Sequence, residues 1–224
     1  MFKCFKKRER TPSTTPDQID DVIQQPQSEI RRVAIIPGHT PNKWGMRTYN
    51  NQREFQLNRR IVDIINAEMI PNGKQVFKYL REEGSYSSAM RTLAKQLEKD
   101  KIDLAIEFHF NAAGVPEARG CEMLIKHGAD KTANYANLMI DGFSTQFDIV
   151  KRREYKGVRG IKALKKNDRG STFVFEAEKR GVMAMLFEPF FGDYQTEDTA
   201  QFLDEEDFGV RKMADFWIKM IRAL

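Results

Sequence analysis

The feature that most constrains the fold is a series of short apolar runs that alternate with segments whose apolar residues recur at helical spacing. The runs that predict buried strands are residues 31–37, 74–80, 102–110, 120–126 and 181–191. The segments that predict helices are residues 53–69, 85–99, 131–147 and 210–224. Continuous apolar runs are typical of strands that are buried on both faces. The sequence therefore predicts an α/β fold, a single domain with a central, mainly parallel sheet and helices on both faces.

Residues 1–30 differ in composition from the rest of the chain. They are rich in Pro, Ser, Thr, Gln and Asp and offer few apolar side chains to bury, which predicts a flexible N-terminal arm. The folded domain then covers residues 31–224. The arm begins with a basic stretch that contains Phe2 and Phe5, and this pattern suggests a weak contact with an anionic membrane surface.

Charge is distributed along the chain in blocks. Residues 151–169 hold nine basic and two acidic side chains, whereas residues 193–207 hold seven acidic and no basic ones. The blocks nearly cancel, and Tyr155 is the one aromatic residue of the basic block, so the basic stripe and stacking series of a nucleic-acid binder are absent from the sequence. We interpret both blocks as solvated surface, with contact to an anionic polymer as the alternative for the basic block.

Export signals and cysteines indicate where the chain is made. The basic N-terminus is not followed by the apolar stretch of a secretory signal, so we expect synthesis in the cytoplasm without a signal peptide. Cys4 lies in the arm and Cys121 at the start of a predicted strand, and they form no C-x-x-C pair. A structural disulfide between them is therefore not expected, which fits a reducing compartment.

Four polar residues lie at the ends of predicted elements. His39 follows the first strand, His109 and Glu188 end two later strands, and Glu54 begins the first helix. In open α/β sheets ligands bind beyond the carboxyl ends of the strands. Two histidines and one glutamate are a common ligand set for catalytic zinc, which leaves a fourth position open, and a further carboxylate such as Glu188 could then move protons. Each residue alone also has an ordinary structural interpretation: a buried histidine, a carboxylate at a helix start, or a member of an ion pair.

Several motifs, in order across residues 32–224, resemble the zinc-dependent N-acetylmuramoyl-L-alanine amidases, peptidoglycan hydrolases found among bacterial cell-separation enzymes and phage endolysins. The motifs are IIPGHT, EFQLNRRIVDII, IDLAIEFHFNAA, GCEMLI and GVMAMLFEPFF. The resemblance implies a twisted sheet flanked by helices and one Zn²⁺ per chain on His39, Glu54 and His109. It also implies that Glu188 acts as general base and then acid, and that Asn111 helps to bind substrate. The implied reaction is hydrolysis of the amide between N-acetylmuramic acid and the L-alanine of the stem peptide.

The sequence departs from the family pattern at a few positions. TPNKWG follows the first histidine where a small, glycine-rich stretch is usual, Glu107 replaces a common serine, and Pro189 and Phe191 follow Glu188. We expect these departures to alter the walls of the substrate groove rather than the metal ligands.

Two alternatives to the amidase remain open. One is a zinc peptidase of the carboxypeptidase type that cuts within the stem peptide, although 14 residues separate His39 from Glu54, more than is usual there. The other is a non-catalytic wall-binding or structural protein with the same fold. Within the amidase interpretation we expect a monomer of the phage endolysin type, with peptidoglycan as its partner, that acts on the cell wall after release from the cytoplasm.

Overall fold

The computed structural model describes residues 30–69 and 74–224. The predicted arm lies outside the described residues except for Ile30, so its flexibility and its membrane contact stay predictions. Ile30 itself is buried in the hydrophobic core, and its carbonyl accepts a hydrogen bond from the Lys74 ammonium. None of the helices in the described ranges is long and apolar enough to cross a membrane.

The domain is built on a six-stranded sheet. The strands are β1 (Arg32–Pro37), β2 (Gln75–Lys78), β3 (Leu104–Phe108), β4 (Glu122–Lys126), β7 (Ile161–Leu164) and β8 (Met183–Glu188), with a separate small hairpin of β5 (Glu154–Tyr155) and β6 (Val158–Arg159). Their order across the sheet is β2-β1-β3-β8-β4-β7, and every pair is parallel except β8 with β4. The predicted mainly parallel sheet is confirmed.

Six helices in the described part of the chain cover the two faces of the sheet. They are α1 (Glu54–Glu68), α2 (Tyr86–Lys99), α3 (Asp130–Phe147), α4 (Ser171–Glu178), α5 (Glu197–Leu203) and α6 (Glu206–Ala223). Buried side chains of α1, α3, α5 and α6 form one core with the sheet, and those of α2 and α4 form a second. In β1, Val33 and Ile35 belong to the first core while Ala34 and Ile36 belong to the second, which explains why this strand is apolar throughout.

Helix α2 illustrates how local sequence sets an element boundary. Ser85 lies in extended conformation immediately before the helix, and its hydroxyl accepts a hydrogen bond from the backbone N–H of Ser88. This N-cap defines the start of the helix, because the hydroxyl satisfies one of the N–H groups of the first turn, which have no partner within the helix. The apolar residues behind it, Met90, Leu93 and Leu97, recur at helical spacing and are buried in the second core.

Both charged blocks contain regular structure that the sequence did not predict. Strand β7 lies inside the basic block, with Ile161 and Leu164 buried, and helix α5 lies inside the acidic block. Asp198 of α5 is only 2% exposed and accepts hydrogen bonds from Arg119 and from the backbone N–H of Gly120. The interpretation of these blocks as solvated surface is therefore wrong for these buried residues. Cys121 is buried with a free thiol, and burial raises its pKa to about 12.

Candidate metal centre and active site

The topology brings the predicted site residues to one edge of the sheet. Strands β1, β3 and β8 are mutually parallel neighbours, so their carboxyl ends lie side by side. His39 follows β1, His109 follows β3, and Glu188 is the last residue of β8. Glu54 is the first residue of α1 and approaches the same edge from the loop that follows His39.

His39, Glu54 and His109 form a compact cluster of potential metal ligands. One donor atom from each lies within 4.8 Å of the others. The two carboxylate oxygens of Glu54 are divided between the histidines, with Oε2 3.0 Å from His39 Nε2 and Oε1 3.0 Å from His109 Nδ1. Two imidazole nitrogens and one carboxylate oxygen are donors that zinc accepts in catalytic sites. The donor set and its spacing therefore fit a zinc ion.

The Glu54 carboxylate is fixed by backbone groups as well as by the histidines. The N–H of Met46 donates to Oε2 and the N–H of Phe110 donates to Oε1, both at 2.9 Å. Burial alone would raise the pKa of Glu54, but the hydrogen bonds to His109 and His39 outweigh it and hold the pKa well below its usual range. Glu54 is therefore an anion at every physiological pH, as a metal ligand must be.

Two glycines make room for the cluster. A Cβ atom on Gly38 would lie 2.4 Å from the His109 ring, and one on Gly45 would lie 2.3 Å from Glu54 Oε2 and 2.5 Å from the His39 ring. Real Cβ atoms do not approach other atoms this closely, so both positions require glycine. His39 itself has a φ of 72°, a left-handed conformation that costs a non-glycine residue free energy.

Glu107 corrects one expectation from the sequence. It is completely buried in β3, and its Oε1 lies 3.4 Å from His109 Nε2 and 3.9 Å from Arg81. Burial lowers the pKa of His109, but Glu107 and then Glu54 outweigh this and raise it to about 10. The expectation that Glu107 alters only the groove walls is therefore wrong, because the carboxylate lies against the ring of a candidate ligand.

Glu188 is paired with a second carboxyl group, that of Glu122. The two residues are directly opposite in the antiparallel pair of β8 and β4. Burial and the charge of Glu122 raise the pKa of Glu188 to about 7, in spite of the opposing effect of His109. Glu122 in turn accepts a hydrogen bond of 2.8 Å from the Asn111 amide and lies 3.5 Å from Arg153. Asn111 therefore positions Glu122, and both line the cavity that contains Glu188.

A cavity of about 1430 Å³ joins these groups into one site. Its lining includes His39, Glu54 and His109, the carboxyl groups of Glu122 and Glu188, and residues of α2, α4 and the 162–170 segment. Phe191 lies in the wall as predicted, with the Arg152 guanidinium 4.3 Å from the centre of its ring.

Comparison with known proteins decides the family. The family model for N-acetylmuramoyl-L-alanine amidase matches residues 33–219. The chain belongs to this family. The matched range contains all strands of the sheet, apart from the first residue of β1. It also contains His39, Glu54, His109 and Glu188. A search of curated proteins finds no sequence match.

Solved structures of amidases share the fold. The N-acetylmuramoyl-L-alanine amidase from Clostridium difficile 630 superposes with a TM-score of 0.63 at 19% identity, covering 88% of this chain and 97% of that one. The catalytic domain of the CD27L endolysin, which targets Clostridium difficile, gives 0.61 at 20% identity and covers 84% and 97%. Ami1 from Mycobacterium smegmatis gives 0.64 at 15% identity and covers 86% and 95%. At these identities the likeness shows a shared amidase fold.

Sequence reasoning did not predict that Glu107 lies against a candidate ligand, and it missed Glu122 of the candidate site altogether. Each is a charged residue inside an otherwise apolar strand, in LAIEF and in CEMLI. A charge in a buried run is rare unless it is paired, so this signal was available in the sequence. Their partners, however, come from distant parts of the chain and could not be identified from it.

Proposed function

We propose that the chain is a zinc-dependent peptidoglycan amidase that hydrolyses the bond between N-acetylmuramic acid and the L-alanine of the stem peptide. The observation that carries this proposal is the His39–Glu54–His109 cluster in one cavity with Glu188. Three donor atoms within 4.8 Å of one another suit a single ion. The family match supports the amide as the bond that is cleaved.

The metal would be held by His39, Glu54 and His109, leaving room for water and substrate on the cavity side. When bound, zinc supplies an electrophile that acidifies water and stabilises negative charge on a carbonyl oxygen. The far nitrogen of His109 lies 3.4 Å from Glu107 Oε1, and this charge contact would orient the ring so that Nδ1 points towards Glu54. This arrangement keeps the ligand geometry fixed before substrate arrives.

Glu188 would move the proton. As a carboxylate it accepts a proton from the attacking water, and as a carboxylic acid it then donates that proton to the amine of the departing L-alanine. A pKa of about 7 suits both steps, because the group is neither too weak a base nor too weak an acid near neutral pH. Burial and, after it, the charge of Glu122 raise this pKa, and Asn111 and Arg153 hold the Glu122 carboxyl group opposite Glu188. We also propose that the Asn111 side chain contacts the substrate from the cavity edge.

The biological setting is part of the same proposal. A monomer of the endolysin type, made in the cytoplasm and released to act on the wall, agrees with the likeness to an endolysin catalytic domain. Sedimentation of the purified protein tests the monomer, and fractionation of producing cells before and after lysis tests the route to the wall. A stable dimer, or protein found outside intact cells, would contradict these two statements.

The test of the reaction is mass spectrometry of purified peptidoglycan after incubation with the protein, with and without a chelator. The proposal predicts chelator-sensitive release of intact stem peptides that begin with a free L-alanine amine. Cuts within the stem would instead identify a peptidase of the carboxypeptidase type. The absence of any product from zinc-loaded protein would favour a wall-binding or structural role.

A further inference from the structure

The cavity extends beyond the candidate metal centre along β4, β7 and α4, and this extension is strongly cationic. Ten cationic and five acidic side chains line the cavity as a whole. We use the term cationic wall for four residues of the extension: Lys126, Lys162, Lys166 and Arg169. Within residues 30–69 and 74–224, none of the four has an acidic side chain as an ion-pair partner.

Two of the four cations are placed where an unpaired charge is costly, and the other two, Lys166 and Arg169, are exposed. Lys126 and Lys162 are half-buried, and the Lys126 ammonium lies 5.8 Å from the centre of the Phe175 ring. Helix α4 begins beside them without a side-chain cap, which adds partial positive charge to the same side of the cavity. A cleft lined by an excess of one sign of charge focuses the field of those charges, so an anionic ligand would be attracted and would offset the cost of burying Lys126 and Lys162.

The strand register gives the distance of the wall from the reacting bond. Glu122 lies opposite Glu188, Lys162 lies opposite Leu124, and Lys126 follows two residues later. At about 3.3 Å per residue along a strand and about 4.8 Å between neighbouring strands, the backbone of Lys162 is about 12 Å and that of Lys126 about 14 Å from Glu188. An extended peptide covers about 3.3–3.6 Å per residue, so these positions match roughly the third and fourth residues beyond the cleaved bond.

We propose that the cationic wall is a subsite for the free carboxylates of the stem peptide, and that the protein selects acidic, unamidated stems. The inference rests on the proposed amidase function. An N-acetylated glycan chain whose lactyl groups are in amide linkage carries no charge, whereas a stem peptide carries side-chain and terminal carboxylates. Charge complementarity therefore assigns the wall to the departing peptide and leaves the glycan to the opposite end of the cavity.

The experiment compares two synthetic substrates with the zinc-loaded full chain. Both are N-acetylmuramoyl tetrapeptides, one with free carboxylates and one with carboxamides at the same positions. The measured quantity is the ratio of the two kcat/KM values at low salt. Because Lys162 also lowers the pKa of Glu188, a variant could change the rate for both substrates, but such a change cancels in the ratio.

The variants are Lys162→Met and Lys126→Met, which keep side-chain length and remove the charge. Lys219→Met is the matched control, because Lys219 is exposed on α6 and does not line the cavity. Wild type and Lys219→Met are expected to favour the carboxylate substrate. Each wall variant is expected to reduce that preference by about two- to fivefold, as for one partly exposed charge pair.

The outcomes separate the inference from the function on which it rests. Equal kcat/KM values of wild type for both substrates, or an unchanged preference in both wall variants, would overturn the carboxylate subsite and leave the amidase intact. Failure of wild type to cleave either substrate would overturn the proposed function itself. Wall variants that keep the preference but lose salt-sensitive binding to whole cell walls would assign the charges to an anionic wall polymer and overturn the inference.

Discussion

Glu122 and Glu188 face each other across the antiparallel strands β4 and β8, at the edge of the sheet where His39 and His109 also lie. Two carboxyl groups in one cavity cannot both ionise readily, because the charge of one raises the pKa of the other. Burial first and the charge of Glu122 second raise the pKa of Glu188, and Asn111 and Arg153 hold the Glu122 carboxyl group in place. This pair links the strand topology to the proposed proton transfer.

The first prediction concerns the pH dependence of catalysis in the Glu122→Gln variant. Glu188 must be ionised to act as a base, so kcat/KM should rise with pH through its pKa, which is about 7 before the additional lowering by a bound cation. Removing the charge of Glu122 lowers the pKa of Glu188, and the acidic limb of the profile should move to lower pH. Glu154→Gln, at an exposed site in β5, is the control. A limb that stays in place or moves to higher pH would contradict the coupling.

The second prediction concerns the stability of the metal-free protein with Glu188→Gln. The pKa of Glu188 is raised from 4.5 to about 7 in the folded state. Between pH 4.5 and about pH 7 the folded protein therefore binds more protons than the unfolded protein, and its free energy of unfolding falls as the pH rises. Above about pH 7 the variant should unfold at a higher temperature than wild type, and below about pH 4.5 the two should coincide. Each kcal/mol corresponds to about 2–4 °C for a chain of this size. Thermal unfolding of both proteins at pH 4 and pH 8 measures this difference. A variant that is less stable than wild type at pH 8 would contradict the prediction.

The third prediction concerns Glu107, which we expect to orient His109. Glu107→Gln keeps the volume of the side chain but removes the carboxylate beside His109 Nε2. Loss of such an outer partner typically weakens metal binding by about 10–100-fold. Zinc affinity from competition with a chromophoric chelator is the readout, and circular dichroism checks that the fold persists. An unchanged zinc affinity in a folded variant would show that Glu107 has no part in orienting His109.

The fourth prediction separates steric from backbone effects at Gly45. Gly45→Ala places a methyl group 2.3 Å from Glu54 Oε2 and also strains a backbone with φ of 78°. Gly114→Ala is the matched control, because Gly114 has φ of 69° but no heavy atom within 4 Å of a Cβ. Both variants should lose stability through backbone strain, with a larger loss in Gly45→Ala because of the added clash, but only Gly45→Ala should lose zinc binding by isothermal titration. Equal zinc affinities in the two variants would contradict the described cluster.

The sequence predicts those elements whose boundaries depend on local chemistry. Helix α2 is an example, because Ser85 and the spacing of its apolar residues define both its start and its buried face. Strands β1, β3 and β8 are similarly predictable, since strands buried on both faces are apolar throughout. The approach of His39, His109 and Glu188 to one edge then follows from the parallel topology.

The remaining features depend on contacts that no local pattern records. Strand β4 runs antiparallel to β8, so its first residue, Glu122, lies at the edge of the sheet that carries the candidate site. A parallel strand would have placed its first residue at the opposite edge. Strand β7 has four residues, of which only Ile161 and Leu164 are buried. It therefore shows no continuous apolar run that would reveal a strand inside the basic block. Helix α5 tolerates its acidic composition because Asp198 is buried against Arg119 and the N–H of Gly120.

The most direct test of the central claim is titration of metal-free protein with zinc while release of stem peptides from peptidoglycan is followed. The account predicts no release without metal, a linear rise to a plateau at one zinc per chain, and no rise when His39 or His109 is replaced by alanine. Glu188→Gln should bind the same single zinc yet release peptides about 10²–10⁴-fold more slowly. Full activity of the metal-free protein, or wild-type rates in zinc-loaded Glu188→Gln, would contradict it.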